Sequence, residues 1–136
     1  MNTEPEQYPT VFIVDDESAV RNALSMVVKT MHFPVKCFSS ASEFIAYIES
    51  RIITGPICLI TDIQMPEMGG IELVEQLISL GKHFPVIITT GHGDNALRLK
   101  AENLGATFLE KPFRPAKLQG IIATILKSDS GKVTAT

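Results

Sequence analysis

Four short stretches of this 136-residue sequence carry side chains able to handle a metal ion or a phosphate. Asp62 follows the apolar run Ile57-Cys58-Leu59-Ile60-Thr61 and opens the turn Asp62-Ile63-Gln64-Met65-Pro66-Glu67-Met68-Gly69-Gly70. Thr10-Val11-Phe12-Ile13-Val14 runs into Asp15-Asp16, a third run ends in Thr90-Gly91, and Ala106-Thr107-Phe108-Leu109-Glu110 runs into Lys111-Pro112. Three carboxylates brought together repel one another and raise their own pKa values unless a cation sits among them. Oxygen ligands without His or Cys favour Mg²⁺, which keeps several waters and takes one or two carboxylates plus a phosphate oxygen. Lys111 then offers a point charge to phosphoryl oxygens, Thr90 a hydroxyl donor, and the backbone near Gly91 and Gln64 further N–H donors. One carboxylate is left over to act as a nucleophile. Taken singly the residues have plainer readings: Asp15 or Asp16 as the cap of a helix, Asp62 as a turn residue, Lys111 as a surface lysine.

These groups meet only if the chain folds as alternating strands and helices. Apolar runs of strand length at 10–14, 34–38, 57–61, 85–89 and 106–110 alternate with helical periodicity, the pattern of an α/β domain with a parallel sheet. The runs are continuous enough to predict strands covered on both faces. In such sheets ligands bind beyond the carboxyl ends of the strands, where Asp15-Asp16, Asp62, Thr90-Gly91 and Lys111 all fall.

The first helix, 18–31, repeats Val20, Leu24, Val27, Val28 and Met31, and Pro34 prevents its continuation. Ser40 with Glu43 forms a capping box ahead of Phe44, Ile45, Ile48 and Ile52. A third helix, 70–80, carries Ile71, Val74, Leu77 and Ile78 and stops at Gly81. The fourth, 94–104, has only Leu97, Ala101 and Leu104 to anchor it. The fifth starts at Pro115 and presents Leu118, Ile121, Ile122, Ile125 and Leu126.

The composition allows one ordinary domain. Hydrophobic residues make up 45%, charged residues 20%, and the net charge is -3, with no basic block, so direct nucleic-acid binding by this chain is not expected. Residues 1–7 are acidic and polar, read as a disordered extension with neither the positive nor the apolar region of a secretion signal. No apolar run approaches the roughly 18 residues of a membrane span. Cys37 and Cys58 lie inside apolar runs and read as buried thiols, and with them a reducing cytoplasm is the expected home. His32 and His83 read as turn or surface residues. Residues 128–136 have the composition of a tail or the start of a linker, which leaves 8–127 as the domain.

The ordered set Val14-Asp15-Asp16-Glu17, Asp62 with Met65-Pro66 and Gly70, Thr90, and Lys111-Pro112-Phe113 resembles the receiver domain of two-component response regulators over residues 8–127. The segments Ile88-Thr89-Thr90-Gly91-His92-Gly93-Asp94 and Phe108-Leu109-Glu110-Lys111-Pro112-Phe113 are most similar to receivers of nitrogen-fixation-type regulators that precede a helix-turn-helix domain. The resemblance implies a flavodoxin-like, doubly wound five-stranded parallel sheet of order 2-1-3-4-5 with five helices. It implies that Asp62 accepts a phosphoryl group from a sensor histidine kinase, with Mg²⁺ held by Asp15, Asp16, Asp62 and the Gln64 carbonyl. Lys111 would pair with the phosphoryl group, aimed by a cis bond before Pro112. Thr90 and Phe108 would form the switch pair, and Gln64 and His92 would tune dephosphorylation. It further implies a homodimer through the face of helix 4, strand 5 and helix 5 on phosphorylation, and an output, transcription, through a domain outside this chain. A stand-alone regulator is the alternative.

The resemblance makes the protein a switch rather than a turnover enzyme, with Mg²⁺-dependent self-phosphorylation and autodephosphorylation only. An Mg²⁺-dependent phosphatase using an aspartyl phosphate commonly has a second acid two residues after the nucleophile, where this chain has Gln64. A flavodoxin-like cofactor binder is disfavoured by the acid pair in the phosphate-loop position, and a dinucleotide site by the lack of glycines there. Gly69 stands where such receivers often have a small polar cap, and a slightly weaker helix start is expected. Ala19, Ala23 and Met26 form a second stripe on the first helix. It reads first as a wide core face, and alternatively as a docking surface for the kinase's helical phosphotransfer domain.

Overall fold

The computed structural model describes residues 10–52, 55–91 and 95–134, with side chains up to 126. The elements alternate strictly: β1 (Thr10–Val14), α1 (Ser18–Lys29), β2 (Val35–Phe38), α2 (Ala41–Glu49), β3 (Ile57–Asp62), α3 (Gly70–Ser79), β4 (Val86–Thr90), α4 (Asn95–Asn103), β5 (Thr107–Glu110) and α5 (Pro115–Thr134). All strand pairs are parallel and the order is β2-β1-β3-β4-β5, the doubly wound arrangement expected. After β1 the chain steps outward to β2, and after α2 it returns to the other side of β1. This reversal opens a crevice at the carboxyl ends of β1 and β3.

Side-chain alternation along each strand splits the interior into two layers. Phe12, Val14, Leu59 and Ile88 pack with Phe44, Ile48, Leu73, Leu77 and Ala101 of α2, α3 and α4. Val11, Ile13, Ile60 and Ile87 pack with Leu24, Val28, Leu118 and Ile122 of α1 and α5. The register sets Val14 beside Thr61, Asp62 beside Thr89, and Thr90 beside Glu110, so the polar residues reach the same edge.

Four local readings are corrected. β2 is an edge strand whose Lys36 and Cys37 are exposed, so it is not covered on both faces and only Cys58 is a buried thiol. A lysine on the open edge also discourages pairing with another strand. Ile52 is 77% exposed rather than part of the α2 face, because the helix closes at Glu49. The Ser50 N–H and hydroxyl both donate to the Tyr47 carbonyl, which ends the helical phase before Ile52. At the start of α2, Ser40 accepts from the Glu43 N–H, but the Glu43 carboxylate accepts from Ser39 instead of closing the box on Ser40. Finally, α5 extends as far as Thr134, past Lys127 where the helical pattern of the sequence ends.

Helix ends otherwise follow the sequence signals. Gly81 (φ 75°) and Gly105 (φ 88°) both end helices in Schellman motifs, with Lys82 N–H to Leu77 carbonyl at 2.8 Å and Ala106 N–H to Ala101 carbonyl at 3.0 Å. His32 (φ 64°) turns the chain after α1 and is exposed, as is His83. Ala101 is the only buried residue of α4, so this helix is anchored as sparsely as its sequence implied.

The glycines provide a paired test. Gly105→Ala would force a left-handed Cβ residue onto the α4 terminus and is expected to cost about 1–2 kcal/mol. Gly120, inside α5 with open space around its Cβ position, should give about 0.5–1 kcal/mol of stabilisation when changed to Ala. Urea denaturation of the two variants against the parent protein measures both signs.

Candidate functional site

The carboxyl end of β1 delivers Asp15, which is 1% exposed. Its backbone N–H donates to the Phe38 carbonyl (3.1 Å), its Oδ1 accepts from the Glu17 N–H (2.9 Å), and its carbonyl accepts from Arg21 Nη1 (2.7 Å). Only Oδ2 has no hydrogen-bond partner. Neither Asp15 nor Asp16 is the cap of α1; Glu17 holds that position, without a side-chain capping bond. Asp16 is exposed beside the buried acid.

β3 delivers Asp62, and both of its oxygens are held. Oδ1 accepts from Lys111 Nζ at 3.0 Å and from the Thr89 hydroxyl at 3.3 Å, while Oδ2 accepts from the Gln64 N–H at 3.2 Å. Lys111 Nζ lies 3.9 Å from Asp15 Oδ2, so one ammonium serves two carboxylates. It reaches them because the Lys111 N–H donates to the Thr90 carbonyl (2.7 Å) and extends the strand pairing; the Lys111-Pro112 bond that follows is cis. Thr90 is buried at the end of β4. His92 lies outside the described residues.

The turn after β3 is tightly built. The Gly70 N–H donates to the Ile63 carbonyl (3.1 Å), and a Cβ on Gly69 would run into that same carbonyl oxygen. A Cβ on Gly70 would lie 2.6 Å from the Asp62 carbonyl oxygen. Gly69 is therefore required, not a weaker substitute for a polar cap. Glu72 supplies half of a capping box by accepting from the Gly69 N–H (3.1 Å). Glu67 takes a left-handed conformation (φ 71°), which costs a non-glycine residue about 1–3 kcal/mol and recurs at functional turns.

Burial pushes the Asp15 carboxyl above the ordinary value of 3.8. The Glu17 N–H opposes this, Asp62 adds to it, Lys111 opposes it and Asp16 adds to it. Among the described residues no three His, Cys, Asp or Glu side chains are grouped closely enough to hold a metal ion between them. Mg²⁺ needs no such group, since it takes one or two carboxylates and keeps its waters. The unpartnered Asp15 Oδ2, the exposed Asp16 and the exposed Gln64 fit that open, all-oxygen chemistry.

Two residues at the site were not singled out from the sequence. Thr89 faces Asp62 through the β3–β4 register, which sequence alone does not give. Arg21 reaches Asp15 from α1, and a cation at the end of a first turn that holds no acid was the available signal. Phe108 is 8% exposed beneath the Arg98 guanidinium, 4.9 Å above the ring, and Arg98 also pairs with Glu110 at 2.7 Å.

Fold and site together define a doubly wound, flavodoxin-like domain with an acid-and-lysine pocket at the topological switch point. The chain belongs to the response regulator receiver domain family, whose model matches residues 11–123. It is 43% identical over 123 residues to the response regulator protein TmoT of Ectopseudomonas mendocina, covering 90% of this chain and 54% of that protein. It is 38% identical over 125 residues to the transcriptional regulatory protein FixJ of Azorhizobium caulinodans, covering 91% and 56%. Among solved structures, FixJ-N superposes with a TM-score of 0.79 at 37% identity, covering 89% of this chain and 95% of that one. The chain thus spans about half the length of these curated relatives. No described helix is long and apolar enough to cross a membrane.

The raised Asp15 carboxyl sets a pH dependence. Between 3.8 and its higher folded value, the folded protein keeps a proton that the unfolded chain has lost, so stability falls as pH rises through that window. In chelator-containing buffer at about pH 7, Asp15→Asn is expected to stabilise the protein by about 1–3 kcal/mol, by removing a buried charge with an unpartnered oxygen. The difference should vanish below pH 3.8, where both states are protonated. Thermal melts of both proteins across that range check it.

Proposed function

We propose that this domain is a phosphorylation-driven switch in which Asp62 accepts a phosphoryl group from a sensor histidine kinase. The observation that carries this reading is the dressing of Asp62. It is a partly exposed carboxylate with Lys111, Thr89 and the Gln64 N–H as donors and a buried acid as neighbour. An Asp62 oxygen attacks the phosphorus, the bond to the donor imidazole nitrogen breaks, and its electron pair leaves with the imidazole. Lys111 then follows the negative charge from the carboxylate to the phosphoryl oxygens. Mg²⁺, held by Asp15, Asp16, Asp62 and the Gln64 carbonyl, supplies charge neutralisation for the acids and the phosphoryl oxygens when bound. Water later hydrolyses the acyl phosphate and restores Asp62, with Gln64 and His92 as the residues that tune this step. Gln64 in place of a second acid keeps the domain a signal carrier rather than a phosphatase.

The switch pair is Thr90 and Phe108. Lys111 is bonded to the Thr90 carbonyl and follows Glu110, which pairs with Arg98 on the sparsely anchored α4. A pull at Lys111 is therefore passed to α4 through one strand. Leu99 of α4 is 60% exposed, and we assign the α4–β5–α5 face to dimerisation on phosphorylation. The half-length match to proteins named as regulators, FixJ among them as a transcriptional one, supports an output in transcription through a further domain. A stand-alone regulator is the alternative. Cytoplasmic localisation accompanies either reading.

Ala19 and Ala23 are exposed and Met26 is 69% exposed, which removes the wide-core reading of that stripe and supports its use in kinase docking. Incubation with acetyl phosphate and Mg²⁺ should add the mass of one phosphoryl group to the intact protein and none to Asp62→Asn; an unmodified, folded parent protein would overturn the assignment. Met26→Lys should slow transfer from the cognate kinase about tenfold, the effect of about 1.4 kcal/mol, while leaving acetyl phosphate labelling unchanged. Equal transfer rates would remove the docking face.

A further inference from the structure

The structure assigns Arg21 as a positioning residue that holds the Asp15-Asp16 turn in its metal-binding shape. The inference deepens the receiver reading and rests on it. Arg21 is the fourth residue of α1, close to the positive end of the helix dipole, where a cation is disfavoured. Glu17 holds the N-cap four residues before it, yet among the described residues Arg21 makes no ion pair. Its guanidinium is instead spent on one main-chain oxygen, the Asp15 carbonyl, at 2.7 Å.

That bond completes a three-point clamp. The Asp15 N–H is fixed on β2 through Phe38, Oδ1 is fixed by the Glu17 N–H, and the carbonyl is fixed by Arg21. The oxygen left over, Oδ2, points toward Lys111. The carbonyl that Arg21 grips belongs to the peptide leading into Asp16, so the same contact sets the direction in which the exposed acid leaves the strand. Without it the peptide between the two acids is held only by the Glu17 N–H across the turn, and more of the ordering of the pair must be done by the ion. Arg21 touches neither the nucleophile nor the phosphoryl group, so it acts through the turn.

The test uses Arg21→Met, which keeps the apolar stem, and Arg21→Lys, which keeps a charged donor. Mg²⁺ titrations by calorimetry on the chain should show a dissociation constant raised about tenfold in Arg21→Met, as for other residues that orient metal ligands, and partly restored in Arg21→Lys. Exchange of the Glu17 amide in metal-free Arg21→Met should accelerate, because its acceptor is no longer held. Phosphorylation by acetyl phosphate should recover at saturating Mg²⁺. A folded Arg21→Met with parental Mg²⁺ affinity would overturn the inference while leaving the receiver reading intact. So would a weakened affinity that saturating Mg²⁺ fails to rescue, since that places Arg21 in the transfer step itself. Failure of the parent protein to bind Mg²⁺ would overturn both.

Discussion

The arrangement of the domain's carboxyl-end edge follows from one constraint: two carboxylates share a single ammonium, and one of them is almost fully buried. Lys111 sits 3.0 Å from Asp62 and 3.9 Å from Asp15, which suffices to hold Asp62 but leaves the inner oxygen of Asp15 unmatched. An acid in that position is costly in its charged form. The surrounding structure limits the cost with fixed hydrogen bonds and leaves one unpartnered carboxylate oxygen facing Lys111. Strand order brings the three residues together, since β1 and β3 are neighbours and β5 reaches them through β4.

The sequence made the architecture plain and the site partly so. Most strands are runs rich in Val, Ile, Phe or Leu that end in a residue of the site or in a turn, so the five strands and the starts of the five helices could be placed to within a few residues. β2, one of the two edge strands, was the exception, because four residues such as Val35-Lys36-Cys37-Phe38 do not reveal how many neighbours they will have. Ile52 differs for a related reason: its spacing fits the α2 stripe, yet a serine closing the helix two residues earlier moves it to the surface.

At the site, residue types were readable and close approaches were not. Asp15, Asp62 and Lys111 could be grouped because each terminates a strand. Thr89 was hidden by its neighbour Thr90, because which of two adjacent threonines faces Asp62 depends on the β3–β4 register. Along the sequence Gly69 looks like a tolerable cap, whereas in the fold a Cβ there would meet the Ile63 carbonyl, a contact made across a turn and invisible along the chain. Backbone proximity is where reasoning from side-chain types stops.

The two-layered interior has a consequence for how this domain can diverge. The sheet's backbone stands between the layer under α2, α3 and α4 and the layer under α1 and α5. The sheet separates the outer faces of the helices on its two sides, and substitutions that are distant and share no partners usually act independently. Changes that refit one face to a new partner can thus accumulate without compensating changes on the other. The strand ends that carry Asp15, Asp62 and Lys111 belong to both halves, so they form the hinge line along which two independently varying surfaces remain parts of one instrument.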